Sequence, residues 1–443
     1  MISALAAAMR GRGKNMGLAV GVLLALSSCG RPIGVMEPVA VRAPDTNKID
    51  LLVATTREPD ANPAILFSGE RGTGLKTDAV TVSLPPEANR RIGEVQWPSR
   101  IPGDPERNFV TAGVQPLLSN ADNQAWLRTH LPKSRHVLVF VHGFNNRYEE
   151  AVYRFAQIVH DSGADVAPIV FTWPSRASIF SYVYDRESTN FSRDALEELL
   201  RRAASNPSVG EVTVMAHSMG AWLAVEALRQ MAIRDGRVMP KIDNVILASP
   251  DLDVDVFASQ FAALGKDKPH FTLFVSRNDR ALGLSRRIAG SVDRLGQIDP
   301  TSPVNAAALE NLGITVIDLT KLRTGDRLNH GKFAASPEVV QLIGNRLLAG
   351  QSITENDIGL GEALGAVALG AAETVGTAAS VAVSTPIAVF DRRTRENYGM
   401  QFQRLGQSAA NTVGSVGDTI DVGLSDAPMP VLQTQKAAAP RKQ

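Results

Sequence analysis

Cysteine is nearly missing from this chain. Cys29 stands alone among 443 residues, so an intramolecular disulfide is impossible and a Cys-based zinc cluster is excluded. Whatever the compartment, the core has to hold without covalent staples. A dominant charge is missing too. Forty-six Lys and Arg face 45 Asp and Glu, which is too balanced for nucleic-acid binding driven by global charge, and no nucleic-acid partner is expected. There is no GxGxxG following a strand pattern, no Walker A sequence and no cluster with metal-ligand spacing. A nucleotide enzyme or a metalloenzyme is therefore disfavoured, and neither cofactor nor metal is expected. What remains is ordinary: 44% hydrophobic and 21% charged residues rule out wholesale disorder and collagen-like repeats. The length allows about three domains, although a large α/β domain can absorb 250 residues or more on its own.

The N-terminus gives the lone cysteine a role. Arg10, Arg12 and Lys14 precede an apolar run from Met16 to Leu26. Eleven residues are too few to cross ~30 Å of hydrocarbon as a helix but suit the core of a signal peptide. The run ends in Leu26-Ser27-Ser28-Cys29, which resembles the lipobox of bacterial lipoproteins. That resemblance implies cleavage before Cys29, acylation of its thiol and new amine, and, with Gly30 rather than Asp next, the outer membrane facing the periplasm. An ordinary signal peptide with an incidental cysteine is the alternative. Three positive and no negative residues precede Cys29, so the chain from there on falls from +1 to −2. Residues 29–48 carry Pro32, Pro38 and Pro44 and read as a tether.

Residues 49–350 read as one α/β domain. Leu51–Thr56 and Ala79–Leu84 are strand-like, and the stretches 59–77 and 98–108 read as Gly/Pro/Asp-rich loops. A short helix is expected over 119–131. From residue 136 apolar strands alternate with helical patterns. The strands are His136–Val141, Val166–Thr172, Val212–Ala216, Val245–Ala248, Phe271–Val275 and Ile314–Leu319. The helices are 147–161, 187–204, 219–234, 253–264, 281–290 and 336–349. Continuously apolar strands separated by amphipathic helices predict a mostly parallel, eight-stranded sheet with helices on both faces. Residues 351–443 form an Ala/Gly-rich and then polar tail. Thr374–Phe390 has no charge, but Glu362, Glu373 and Pro386 weaken a membrane-spanning reading. A loosely packed helix is preferred there, with membrane contact and disorder as the alternatives.

The chemistry is concentrated around Ala216-His217-Ser218-Met219-Gly220. A strand runs into this sequence and a helix pattern leaves it, the setting of a nucleophile elbow with Ala in the first small position. Small residues are needed because the serine sits on a tight, strained turn. The turn lifts its hydroxyl above the sheet edge at a helix N-terminus, where developing negative charge is favoured. A helix-capping serine is the bland reading. In this architecture the order is serine, acid, histidine, so only His270 and His330 can serve as base. His270 precedes a strand, at the wrong end of the sheet, whereas His330 follows the last strand. Asp279, just past the next-to-last strand, is the favoured acid. Asp251, one strand earlier, is the rival, and Asp318 lies inside a strand. The oxyanion hole calls for the amides of Met219 and Phe144, the latter in His142-Gly143-Phe144-Asn145-Asn146. His142 is read as ordering that loop rather than as a base. Trp173 either lines an acyl pocket or makes a structural turn. Tyr182, Tyr184 and Asp185 fall in an expected cap loop, for recognition or for packing.

Five separated motifs in order, V-F-V-H-G-F-N, F-T-W-P-S, A-H-S-M-G, A-S-P-D and S-R-N-D-R-A-L, resemble a bacterial, esterase/lipase-like branch of the α/β-hydrolase superfamily whose functions are largely unassigned. The resemblance covers about residues 48–350. It implies the α/β-hydrolase fold, the triad Ser218, Asp279 and His330, and a lipid-anchored serine hydrolase acting on small-molecule or lipid esters through an acyl-enzyme. The membrane partner would be reached through lipidated Cys29. A non-catalytic envelope lipoprotein, using the same fold for binding or assembly, is the alternative. The oligomeric state is not legible.

Overall fold

The computed structural model describes residues 32–322 and 327–344. The expected signal segment, Cys29 and the tail 351–443 lie outside them. One sheet organises the described chain. Its strands are β1 (Asn47–Pro59), β2 (Phe67–Leu84), β3 (Val110–Pro116), β4 (His136–Val141), β5 (Ala167–Thr172), β6 (Glu211–His217), β7 (Ile242–Ala248), β8 (His270–Val275) and β9 (Ile314–Asp318). They lie in the order β3-β2-β1-β5-β4-β6-β7-β8-β9. The β1/β2 and β2/β3 pairs are antiparallel and all the other pairs are parallel.

The sheet thus has nine strands where eight were expected. Val110–Pro116 was missed because Val-Thr-Ala-Gly-Val-Gln-Pro is short and mixed in polarity. It becomes a strand by pairing with β2 from Asp78↔Pro116 to Ser83↔Val110. The stretch 59–77, read as a loop, instead supplies the first half of β2, whose charged residues point to solvent. Residues 32–48, read as a tether, lie against the domain. Val35 and Met36 are buried, the Val39 amide donates to the Thr111 carbonyl (2.8 Å), and the Tyr153 hydroxyl donates to the Val35 carbonyl (3.0 Å). Burial of this apolar pair outweighs the extended preference of the surrounding prolines.

The helices are α1 (Asn120–His130), α2 (Tyr148–Ser162), α3 (Tyr182–Ser205), α4 (Met219–Asp235), α5 (Val254–Ala262), α6 (Arg280–Ile288), α7 (Pro303–Asn311), α8 (Lys332–Ala335) and α9 (Pro337–Leu342). Alternate residues of each central strand serve opposite faces. Val137, Val139 and Val141 of β4 pack with Leu196 of α3, Leu223 of α4 and Phe257 of α5. Leu138 and Phe140 pack with Tyr153 and Phe155 of α2, Phe333 of α8 and Val339 of α9. Both faces are covered, so β4 is buried throughout, as its unbroken apolar sequence requires. Among the described residues no helix is long and apolar enough to cross a membrane.

The chain leaves β4 on one face through α2, fills β5, then crosses to the opposite face through α3 before entering β6 on the other side of β4. The strand order therefore reverses at β4. In open α/β sheets the crevice beyond the carboxyl ends at such a point is where ligands bind. The two stretches emerging there are His142–Asn146 and Ser218–Gly220.

Candidate active site

Ser218 occupies the turn between β6 and α4 with φ 54° and ψ −122°. This is backbone that a side-chain-bearing residue holds only when its surroundings dictate it. Its amide donates to the Ala248 carbonyl (3.0 Å), and its carbonyl accepts from Asp251 (3.1 Å) and Ala221 (3.0 Å). Sterics explain the flanking glycines. A Cβ on Gly220 would lie 2.3 Å from the His142 carbonyl oxygen. One on Gly143 would lie 2.8 Å from the Ser218 Cβ. The loop after β4 and the elbow after β6 are therefore in contact at backbone distance. Met219 is the first residue of α4, where amides have no intrahelical acceptor.

His330 comes to this edge from the segment before α8. Its Nδ1 lies 2.7 Å from Oδ2 of Asp279, whose side chain is wholly buried. Asp279 is also the N-cap of α6, with Oδ1 accepting the Leu282 amide at 2.9 Å. One carboxylate thus starts a helix and meets the imidazole. The rival, Asp251, points elsewhere. It accepts from Ser285 Oγ (2.5 Å) and the Tyr182 hydroxyl (3.1 Å) and pairs with the buried Arg294 (3.3 Å). His270 is exposed at the start of β8, and Asp318 accepts from the Thr320 amide.

His142 is enclosed under the loop that follows β4. Its Nδ1 faces the Gly143 carbonyl (2.8 Å) and its Nε2 accepts the Trp173 amide (3.1 Å). Burial, reinforced by the nearby Arg57 cation, lowers its pKa to about 3. A neutral, Nδ1-protonated ring follows, suited to ordering the loop. Trp173 is fully buried, stacks on this ring at 4.8 Å and donates its indole N–H to the His142 carbonyl (2.8 Å). It makes a structural turn. Asp185, on the first turn of α3, accepts from Ser175 Oγ (2.5 Å) and the Arg176 amide (3.0 Å). Tyr182 packs edge-on against Phe144 at 5.3 Å. The segment expected as a cap loop is therefore a helix start that braces the site.

Three residues that the sequence reading passed over hold this arrangement. Arg57 of β1, fully buried, donates to the Asn146 (2.8 Å), Ser175 (3.1 Å) and Ser68 (3.2 Å) carbonyls. Burial lowers its pKa to about 10, so it stays charged. His217 lies between the rings of His330 and Phe333, each centroid 4.7 Å away, with Nε2 3.3 Å from the His330 carbonyl. Burial first, then the neighbouring His330, holds its pKa well below the ordinary histidine value. Lys332, fully buried, donates to Asn278 Oδ1 (2.8 Å), the Leu319 carbonyl (2.8 Å) and Ser276 Oγ (3.1 Å). It ties the loops after β8 and β9 to the segment carrying His330. The one available signal was adjacency, since His217 and Lys332 flank Ser218 and His330 in sequence.

Residues 119–346 match the family described as alpha/beta hydrolase of unknown function (DUF900). The chain belongs to this family. The match takes in every strand from β4 to β9, Ser218, Asp279 and His330. No curated protein matches this α/β-hydrolase. Among solved structures it is similar to a protein described as a cell surface hydrolase of Lactobacillus plantarum, at 12% identity over 50% of this chain and 95% of that one, with a TM-score of 0.30. It is similar to an esterase of Pyrobaculum calidifontis at 14% over 62% and 81%, TM-score 0.28. A third is the siderophore hydrolase EstB of Aspergillus nidulans, at 13% over 69% and 97%, TM-score 0.30. Likenesses of that degree carry no argument about activity. Among the described residues of this α/β-hydrolase, no group of three or more His, Cys, Asp or Glu side chains could hold a metal ion.

Proposed function

We propose that this α/β-hydrolase is a serine hydrolase of carboxylic esters. The observation that carries the reading is the 2.7 Å contact between His330 Nδ1 and Asp279 Oδ2, on the same sheet edge as a serine in strained backbone. A carboxylate on Nδ1 fixes the tautomer whose Nε2 can accept a proton. In this mechanism Ser218 Oγ attacks the acyl carbon while His330 Nε2 takes its proton. The carbonyl electrons move onto oxygen, which the Phe144 and Met219 amides receive. Collapse expels the alcohol, protonated by His330. Water, deprotonated by the same imidazole, then releases the acid and restores Ser218. The protein supplies every group, so no cofactor enters.

Fluorophosphonate labelling tests this reading, because it needs an activated serine. Labelling and nitrophenyl-ester hydrolysis, both abolished by Ser218→Ala, support it. Failure of a folded wild-type chain to label overturns it in favour of the non-catalytic envelope module. The anchor is part of the proposal: Cys29 carries the acyl chains and holds the enzyme at the outer membrane, facing the periplasm. Incorporation of labelled palmitate into wild type but not into Cys29→Ser supports this part. An unmodified Cys29 on a protein that leaves the membrane fraction refutes it without touching the chemistry.

A further inference from the structure

The rim of this sheet edge carries large apolar side chains in water. Phe180 is 93% exposed and Val183 70%, and Ile179 stands beside them. On α6, Leu284 and Ile288 are exposed, one helical turn apart and so on one stripe. Leu328, also exposed, lies two residues before His330. These positions belong to elements in contact. The Tyr182 hydroxyl is 2.9 Å from Ser285 Oγ, which joins the start of α3 to α6. The Arg280 amide donates to the Leu328 carbonyl (2.8 Å), which joins α6 to the His330 segment. Tyr182 in turn packs on Phe144, so the patch borders the loop beside Ser218.

The charges around the patch have one predominant sign. α6 contains Arg280, Arg286 and Arg287 and no acidic residue. Arg186 and Arg327 are exposed beside it. Among the acids nearby, Asp251 is buried against Arg294, Asp185 is buried and bonded inward, Asp293 is buried against Arg286, Asp253 and Asp255 are half-buried, and Glu187 is exposed. An apolar stripe bordered by arginines is the pattern of a surface that lies on a bilayer: the apolar side chains enter the acyl boundary and the guanidiniums meet anionic headgroups.

We propose that this rim docks the site onto an anionic phospholipid surface, with Phe180, Val183, Leu284 and Ile288 entering the lipid. The proposal concerns docking and does not depend on hydrolysis, so it is tested in chains that also carry Ser218→Ala. Cys29 is the chain's one cysteine, so on a Cys29→Ser background Phe180→Cys or Leu284→Cys gives a single attachment point for a fluorophore. Arg128→Cys is the control. Arg128 is exposed on α1 and borders the groove that also meets Ser205 and Asn206, at the far end of α3, a helix about 36 Å long.

The full chain is mixed with vesicles of phosphatidylglycerol and phosphatidylcholine containing doxyl-labelled lipid. Quenching at 180 and 284 at least threefold above that at 128 is expected, with little quenching on phosphatidylcholine alone. Because the readout is positional, attachment through any other segment leaves it intact. Quenching at 180 and 284 no greater than at 128, in chains with native circular dichroism, overturns the proposal. Equal quenching on phosphatidylcholine overturns the anionic commitment. A concentration-dependent blue shift without vesicles overturns it in favour of a second copy on the patch. Val183→Cys and Ile288→Cys replace any label site that fails to fold.

Discussion

Asp279 receives His330 and the first turn of α6 on opposite oxygens: Oδ2 lies 2.7 Å from the imidazole Nδ1 and Oδ1 accepts the Leu282 amide at 2.9 Å. The carboxylate is therefore held in orientation by a helix before it orients anything itself. Asp251, its rival in the sequence, is held just as firmly but by Tyr182, Ser285 and Arg294.

Different losses follow for the two acids. Asp279→Asn leaves the imidazole tautomer unset and is expected to lower kcat/KM on an activated ester at least about a hundredfold, with the fold retained. Asp251→Asn strands the buried Arg294 cation, so its effect falls on stability, by about 3 kcal/mol, with kcat/KM within about tenfold of wild type. Steady-state kinetics and denaturant melts of both variants decide. The reverse ranking would move the acid to Asp251.

Gly220→Ala places a Cβ 2.3 Å from a backbone oxygen, which no rotamer change relieves. The expected result is a loss of about 1–3 kcal/mol together with a large fall in kcat, as α4 is pushed from β4. Thermal denaturation and burst kinetics measure the two effects. A variant with wild-type stability would mean the elbow is looser than its contacts indicate.

Lys332→Met removes an ammonium from the buried Leu319 carbonyl and Ser276 hydroxyl and from the Asn278 side-chain oxygen. Each orphaned acceptor costs about 1–3 kcal/mol, and the His330 segment loses its tie to the Asp279 loop. Stability should fall by about 3 kcal/mol, with kcat reduced more than KM. A change in KM alone would argue for a role in binding instead.

Asp78 is buried on β2, and burial raises its pKa to about 6 from 3.8. Between those two values the folded state binds more protons than the unfolded one, so this group makes stability fall as pH rises through the window. Above about pH 6 the buried carboxylate is a net penalty of ~3 kcal/mol. Asp78→Asn should therefore stabilise the protein at pH 8 and lose that advantage below about pH 4. Urea melts of both proteins from pH 4 to 8 check it, and a pH-independent difference would refute it.

The sequence by itself determined whatever depends on neighbours along the chain. The apolar runs of β4 and β6 and the amphipathic period of α2 follow from neighbours along the chain and from burial on both faces of a parallel sheet. So does the order of Ser218, Asp279 and His330. Tertiary structure decided what depends on residues far apart. β3 exists because β2 pairs with it, and Val35–Met36 packs inward because it joins the apolar cluster of Phe109 and Tyr153. Arg57 reaches the Asn146 carbonyl across 89 positions, and Lys332 reaches the loop after β8 across 54. Which of Asp279 and Asp251 lies against His330 belongs here as well. Both follow a strand at the correct edge. What separates them is which buried partner each side chain meets, a matter of a few ångströms that no periodicity records.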